Sequence, residues 1–160
     1  MSSLFIRNRQ RAVSVDVRYL RRLTRALLQT ALPDAAFDLG IYLVRAPEMA
    51  RLNETHLQHE GSTDVITFDY AEPKGKVSGV LHGEIFVCID EALAQAPRFR
   101  TTWQSELVRY VIHGILHLRG FGDVRPADRR KMKREESRWL KEIGRSFPLR
   151  KLSGGPKLAA

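Results

Sequence analysis

Residues 113 to 123 read His-Gly-Ile-Leu-His-Leu-Arg-Gly-Phe-Gly-Asp, and this stretch combines a helical histidine pair with a glycine turn. Two histidines four positions apart lie on one face of an α-helix, separated by about one turn and roughly 6 Å of rise. Gly120 readily adopts the left-handed conformation that ends a helix, so the chain can turn back there. The spacing therefore predicts a helix whose last turn brings His113, His117 and Asp123 to one point.

These three residue types suit zinc. Imidazole nitrogen binds Zn²⁺ at about 2.0–2.1 Å and carboxylate oxygen at about 2.0–2.2 Å, and three protein ligands leave a fourth position open, as in catalytic sites. Histidines at helical spacing also arise by chance, with core or capping roles as the alternative. The apolar neighbours, the glycine and the third ligand type favour metal binding.

The residue after the first histidine limits the kind of enzyme. Metalloproteases of the H-E-x-x-H type place a glutamate at that position, where it acts as general base. Here the position is occupied by Gly114. A peptidase built on this motif would therefore lack its base.

Length and cysteine count bound the architecture. A chain of 160 residues is sufficient for one domain with an ordinary core. Cys88 is the single cysteine, so we expect no intramolecular disulfide and no disulfide-linked partner. No apolar run resembles a signal peptide or a membrane span, so the expected compartment is the cytoplasm.

The charge of the chain is unevenly distributed. The net charge is +9; residues 1–34 hold seven Lys/Arg against two Asp/Glu, residues 35–97 four against ten, and residues 98–160 sixteen against six. Clusters of Lys and Arg bind phosphates and release condensed counterions. Nucleic acid is therefore the favoured partner, with a merely solubilising basic surface as the alternative.

Hydrophobic periodicity predicts alternating strands and helices. The first predicted strand begins at Leu4, and three further strands cover 37–44, 63–70 and 81–89. The last two are expected to form a hairpin with a mobile tip at 72–79. The predicted helices cover 16–31, 47–57, 91–96 with Asp90 as cap, 103–118 with Thr101 or Thr102 as cap, and 126–144. On the last helix Glu136 shares a side with Met132, Trp139 and Ile143. We expect one domain at 1–144 and a flexible basic tail at 145–160.

Several of these stretches together resemble the YbeY family of bacterial endoribonucleases, also described as ribosomal RNA maturation factors. The histidine segment is the most specific part, since the family pattern H-G-x-L-H-L-x-G-[FY]-D-H is matched at every position through Phe121. The other matching stretches are Leu52-Asn53, residues 62–68 (Ser-Thr-Asp-Val-Ile-Thr-Phe), Gly83-Glu84-Ile85, and Met132 with Glu136.

The chain departs from the family pattern at two functional positions. Asp123 stands where the family usually has its third metal-binding histidine, which would lower the net charge of a metal centre by one. Leu57 stands where the family typically has an arginine thought to serve catalysis or RNA binding. Glu84, whose family counterpart is aspartate, is a candidate base or neighbour of the metal.

The resemblance implies an α+β fold with a small mixed β-sheet of about four strands, about five helices covering it, and a metal site in a cleft. It also implies a zinc-dependent, single-strand-specific endoribonuclease acting in 16S ribosomal RNA 3′-end maturation and ribosome quality control, with ribosomal RNA and ribosomal particles as partners. Two alternatives stay open: a non-catalytic ribosome assembly factor with a structural metal, and a metallohydrolase of another substrate class.

Overall fold

The computed structural model describes residues 2–34, 36–56, 61, 63–71 and 80–154, and these residues form four strands, five α-helices and a 3₁₀ turn. In chain order they are β1 (Ser3–Asn8), α1 (Val17–Ala31), β2 (Ala36–Val44), α2 (Ala46–His56), β3 (Val65–Asp69), β4 (Val80–Cys88), α3 (Ile89–Arg98), α4 (Trp103–Leu118), α5 (Pro126–Ser146) and the 3₁₀ turn Leu149–Leu152.

The four strands form one mixed sheet in the order β1-β2-β4-β3. β2 runs parallel to both β1 and β4, whereas β3 pairs antiparallel with β4. The prediction of an α+β fold with a mixed four-stranded sheet and five helices is confirmed. The predicted hairpin of β3 and β4 is present, and its tip at 72–79 lies outside the described residues.

Strand alternation divides the apolar side chains between two faces of the sheet. Ile41, Ile85 and Val87 belong to the larger core, which α1, α4 and α5 complete. On the opposite face Phe86 and Cys88 join a smaller cluster under α2. The faces of β4 therefore separate the residues that meet α4 from those that do not.

Two glycines allow α4 to lie directly against β4. A Cβ atom placed on Gly114 would stand 2.6 Å from Cγ2 of Ile85, a side chain that is fully buried. A Cβ atom on Gly83 would overlap the carbonyl oxygen of Phe68 and press on Leu118. Because a side chain at either position would clash with these atoms, the two glycines allow the close approach of α4 and β4.

Both ends of α4 have the predicted signals. Thr102 is the N-cap, and its hydroxyl accepts a hydrogen bond of 3.1 Å from the backbone N–H of Ser105. After the helix Gly120 has a φ of 99°, and the N–H of Phe121 bonds the carbonyl of Leu116 at 3.0 Å. The chain therefore turns back toward the helix where the glycine predicted it.

Asp90 does not cap α3 as predicted. The helix begins two residues earlier, at Ile89, with Cys88 at the N-cap. The Asp90 carboxylate instead accepts hydrogen bonds from the backbone N–H of Ala46, at 2.6 Å, and from the guanidinium of Arg45, at 2.9 Å. A tertiary partner at the start of α2 thus replaces the local cap.

The predicted boundary at residue 145 lies too early. α5 continues to Ser146, and Leu152 is fully buried against the larger core. The backbone N–H of Asp16 bonds the carbonyl of Leu152, and the N–H of Gly154 bonds the carbonyl of Ser14. Residues 145–154 are therefore folded onto the domain, and 155–160 lie outside the described residues.

Replacing Gly114 with alanine tests the contact between α4 and β4. We expect Gly114→Ala to lower the free energy of unfolding by about 1–3 kcal/mol, because the added methyl group overpacks a core that cannot give way. Gly144→Ala on α5 is the matched control; its Cβ would meet nothing within 4 Å, so helix propensity should stabilise it by roughly 0.5–1 kcal/mol. Urea unfolding measures the free energy of unfolding of both variants. If the midpoint urea concentrations of the two variants shifted in the same direction from wild type, the packing argument would be contradicted.

Candidate metal centre

The structure brings the three predicted ligands together at the end of α4. Nε2 of His117 lies 3.2 Å from Oδ2 of Asp123, and Nε2 of His113 lies 3.4 Å from the same oxygen. All three ligand atoms lie within 4.8 Å of one another. The helical spacing supplies the two imidazoles, and the turn at Gly120 supplies the carboxylate.

These separations agree with the requirements of a small cation. Two ligands bound at about 2.0–2.2 Å to a tetrahedral ion lie roughly 3.3–3.6 Å apart. The two nitrogen–oxygen distances are close to that value, and each of the three side chains is only partly buried. The group His113, His117 and Asp123 can therefore hold a metal ion and leave a side open to a further ligand.

A buried carboxylate orients the first histidine. Oε2 of Glu136, on α5, lies 2.6 Å from Nδ1 of His113, and Glu136 is only 6% exposed. Its other oxygen accepts a hydrogen bond of 3.3 Å from the guanidinium of Arg109. A bond from Nδ1–H to a carboxylate leaves Nε2 with its lone pair, which is the tautomer that a metal needs.

The electrostatic surroundings favour a cation on His113. Burial lowers the pKa of this imidazole, but the hydrogen bond and charge of Glu136, with the charges of Asp64 and Asp123, outweigh it and raise the pKa above its ordinary value. A proton and a metal ion compete for the same nitrogen. The negative charges of these carboxylates stabilise a positive charge on His113, whether a proton or a metal ion supplies it.

A cleft of about 620 Å³ opens beside this group between α3, α4 and α5. His113 and Asp123 line it, together with Asp64 from the start of the β3 segment. Arg129 and Lys133 of α5 also line it and are exposed. The candidate metal centre thus has room beside it for part of a substrate and cationic side chains for a phosphate.

Glu84 is not part of this group, which corrects the prediction of a base or metal neighbour. Its neighbour Ile85 faces Gly114 of α4, so Glu84 points to the other face of the sheet. There its two oxygens accept hydrogen bonds of 2.7 Å from Tyr42 and 2.6 Å from Tyr70. The sheet therefore separates this carboxylate from the histidines.

Phe99, one of the aromatic residues near the basic C-terminal region, lines the cleft. Leu57, at the position of the family arginine, lies outside the described residues. The sequence analysis named Glu136 but did not predict its contact with His113. The available signal was a carboxylate on the apolar side of α5, which indicates a buried partner.

The chain is similar to proteins that have a common name. A family model described as "Endoribonuclease YbeY" matches residues 5–144. A protein named Endoribonuclease YbeY from Chlorobium phaeovibrioides is 34% identical over 130 residues, covering 71% of this chain and 84% of that relative. One of the same name from Anaeromyxobacter sp. is 38% identical over 144 residues, covering 89% of this chain and 72% of that relative.

Among solved structures, the solution structure of TM1509 from Thermotoga maritima is similar. The TM-score is 0.63 at 25% sequence identity, and the match covers 97% of this chain and 100% of that chain. In the part of the chain that the structure describes, no helix is both long and apolar enough to cross a membrane.

Removing the third ligand tests the assignment of Asp123. We expect Asp123→Ala to reduce bound zinc from about one ion per chain to a small fraction of that, since two imidazoles alone hold zinc weakly. Asp34→Ala, which removes an exposed carboxylate elsewhere, should retain the metal. Elemental analysis after dialysis provides the measurement, and undiminished zinc in Asp123→Ala would show that the carboxylate is not a ligand.

Removing the charge of Glu136 tests its contact with His113. We expect Glu136→Gln to weaken zinc binding about 10–100-fold, because the amide orients the imidazole less well and makes it less basic. Glu135→Gln is the matched control on the same helix, since Glu135 pairs with Arg138 at the surface. Competition with a chromophoric chelator gives both affinities; equal losses in the two variants would contradict this role.

Proposed function

This chain belongs to the endoribonuclease YbeY family, and from that premise we propose that it is a metal-dependent endoribonuclease acting on single-stranded RNA. The observation that carries the proposal is the convergence of two imidazole nitrogens and one carboxylate oxygen within 4.8 Å of one another, beside an open cleft. The matched relatives have the name of an RNA-cleaving enzyme.

We assign the metal to zinc, held by His113, His117 and Asp123. Imidazole and carboxylate suit this ion, and when bound it supplies Lewis acidity toward a phosphoryl oxygen and an activated water near pH 7. Glu136 keeps the His113 ring in the orientation and tautomer that ligation needs. Asp123, on the turn after Gly120, completes the group.

The cationic side chains supply the contacts to the substrate backbone. Arg129 and Lys133 line the cleft, and residues 98–160 hold sixteen Lys/Arg against six Asp/Glu. Such side chains bind phosphates without reading sequence. A cleft of about 620 Å³ beside these cations suits a single strand, whose bases can be turned outward and bound one at a time.

The proposed physiological role is maturation of the 16S ribosomal RNA 3′ end and ribosome quality control, with ribosomal RNA and ribosomal particles as partners in the cytoplasm. Family membership and the net charge of +9 support this assignment. The absence of glutamate at Gly114, where a peptidase of the H-E-x-x-H type has its base, disfavours a protein substrate.

Asp123 and Leu57 favour a second candidate, a ribosome assembly factor whose metal is structural. A carboxylate in place of the third histidine lowers the positive charge of the metal centre, and Leu57 replaces an arginine assigned to catalysis or RNA binding. Both changes act against hydrolysis while leaving a folded, basic protein.

Cleavage of RNA by the zinc-loaded protein distinguishes the two candidates. We expect cuts in single-stranded but not in duplex RNA, and a loss of roughly a hundredfold or more in His113→Ala, because the metal supplies several kcal/mol of charge stabilisation. His82→Ala is the control, since His82 is exposed on the other face of the sheet.

Measurement of initial rates on a labelled oligonucleotide decides between the outcomes. Equal degradation by wild type and His113→Ala would reveal a contaminating nuclease. Binding to ribosomal particles without any cleavage would replace the endoribonuclease by the assembly factor.

A further inference from the structure

The cleft beside the metal-binding group extends along α4 beyond His113. Glu106, Tyr110 and His113 follow one another at helical spacing on the same side of α4 and all line the cleft. Seven residues of helix place Glu106 about 10 Å from His113 along the axis. Gln95 and Phe99 of the α3 segment line the same space. This part of the cleft has no role in holding the metal.

Two polar atoms in this part of the cleft are buried without a partner. The hydroxyl of Tyr110 makes no hydrogen bond within the described structure, although the residue is only 5% exposed. The side-chain carbonyl of Gln95 is likewise buried and unpaired. Buried polar atoms are nearly always satisfied, and an exception is expected where a ligand supplies the missing partner.

Glu106 adds a buried carboxylate to the same wall. It is 5% exposed, and its Oε1 accepts a hydrogen bond of 2.7 Å from the Thr101 hydroxyl. No ion pair joins it to a described Lys, Arg or His side chain. Burial, with the charges of Asp64, Glu106 and Glu91, raises the pKa of Tyr110, so its hydroxyl stays protonated and able to donate.

We propose that Gln95, Glu106 and Tyr110 form a nucleobase pocket that selects guanine at a nucleotide next to the scissile phosphate. The inference rests on the proposed single-stranded RNA substrate and adds a specificity to it. A pocket wall made of a carboxylate, an amide carbonyl and a hydroxyl offers acceptors together with one donor. Its ligand must present the complementary set.

Guanine presents that set on its Watson–Crick edge. Its N1–H and N2 amino group are adjacent donors, which one carboxylate accepts together, and its O6 accepts from the Tyr110 hydroxyl. The second amino hydrogen is available to the Gln95 carbonyl. Uracil has one N–H between two carbonyl oxygens, so it would set an oxygen against the Glu106 carboxylate, and repulsion rejects it.

The rim of the pocket provides a stacking surface. Phe99 lines the cleft with 63% of its surface exposed, as a ring that stacks on a base requires. The next residue, Arg100, has a φ of 55°, which is uncommon for a residue other than glycine, and the Thr101 N–H bonds the Ala96 carbonyl. This tight turn holds Phe99 at the rim and Thr101 against Glu106.

Sequencing of the cut ends from a randomised single-stranded RNA tests the pocket during turnover. We expect guanine to be enriched roughly tenfold or more over uracil at one position beside the cut, as one bidentate base contact provides. Glu106→Gln and Tyr110→Phe should reduce that enrichment to near unity. The matched controls Glu48→Gln and Tyr19→Phe alter the same groups outside the cleft, and they should retain it.

Titration of the zinc-free protein with 5′-GMP and 5′-UMP, followed by NMR, tests the pocket without turnover. Tighter binding of GMP that Tyr110→Phe weakens and Tyr19→Phe does not would support the proposal. Equal binding of the two nucleotides, or cleavage by wild type with no enriched base, would overturn it. If the zinc-loaded wild type fails to cut any RNA, the proposed function is overturned, and the titration alone then decides the pocket.

Discussion

α4 packs on β4 at Gly83 and Gly114, where Leu118 and Ile85 fill the space that a side chain at either glycine would need, and the position of the candidate metal centre depends on this approach. The helix carries His113 and His117 on the side next to its packed face, so the depth of packing sets how far the imidazoles stand from the sheet. A glutamate at position 114 would have to enter the space of Ile85. The same steric constraint that builds the core therefore explains why this histidine motif has no internal glutamate.

The charged residues of the chain fall into two groups, exposed basic residues and buried glutamates. The basic residues are mostly exposed, whereas Glu106 and Glu136 are buried beside the cleft, one paired only with a hydroxyl and the other with His113 and Arg109. Buried carboxylates need partners, because desolvation of an isolated charge is costly. In the proposed function, the exposed cations bind RNA phosphates, Glu136 acts on the metal-binding end of the cleft, and Glu106 acts on the base at the other end.

The sequence predicted the helices and strands and the convergence of the side chains of His113, His117 and Asp123, because both follow from local spacing. Thr102 and Gly120 mark the limits of α4 through short-range hydrogen bonds and backbone conformation, which neighbouring residues determine. Errors arose where distant residues compete: Asp90 bonds α2 rather than its own helix, and Leu152 is buried by contacts with elements far away in sequence. The alternation of side chains along β4 predicts that Glu84 and Ile85 point to opposite faces of the sheet. Only the tertiary structure shows which of the two faces α4 covers.

The hydrogen bonds that join residues 14–16 to residues 152–154 have a consequence for the order in which the chain can fold. They close a loop of nearly the whole chain, so the start of α1 is completed by residues that leave the ribosome after every helix and strand. Contacts of such large sequence separation form slowly. The histidine pair, the turn and Glu136 lie within 24 consecutive residues, so this part of the cleft is available for assembly before the domain closes. For a nascent chain, closure of the fold thus follows the synthesis of all five α-helices and four strands described above.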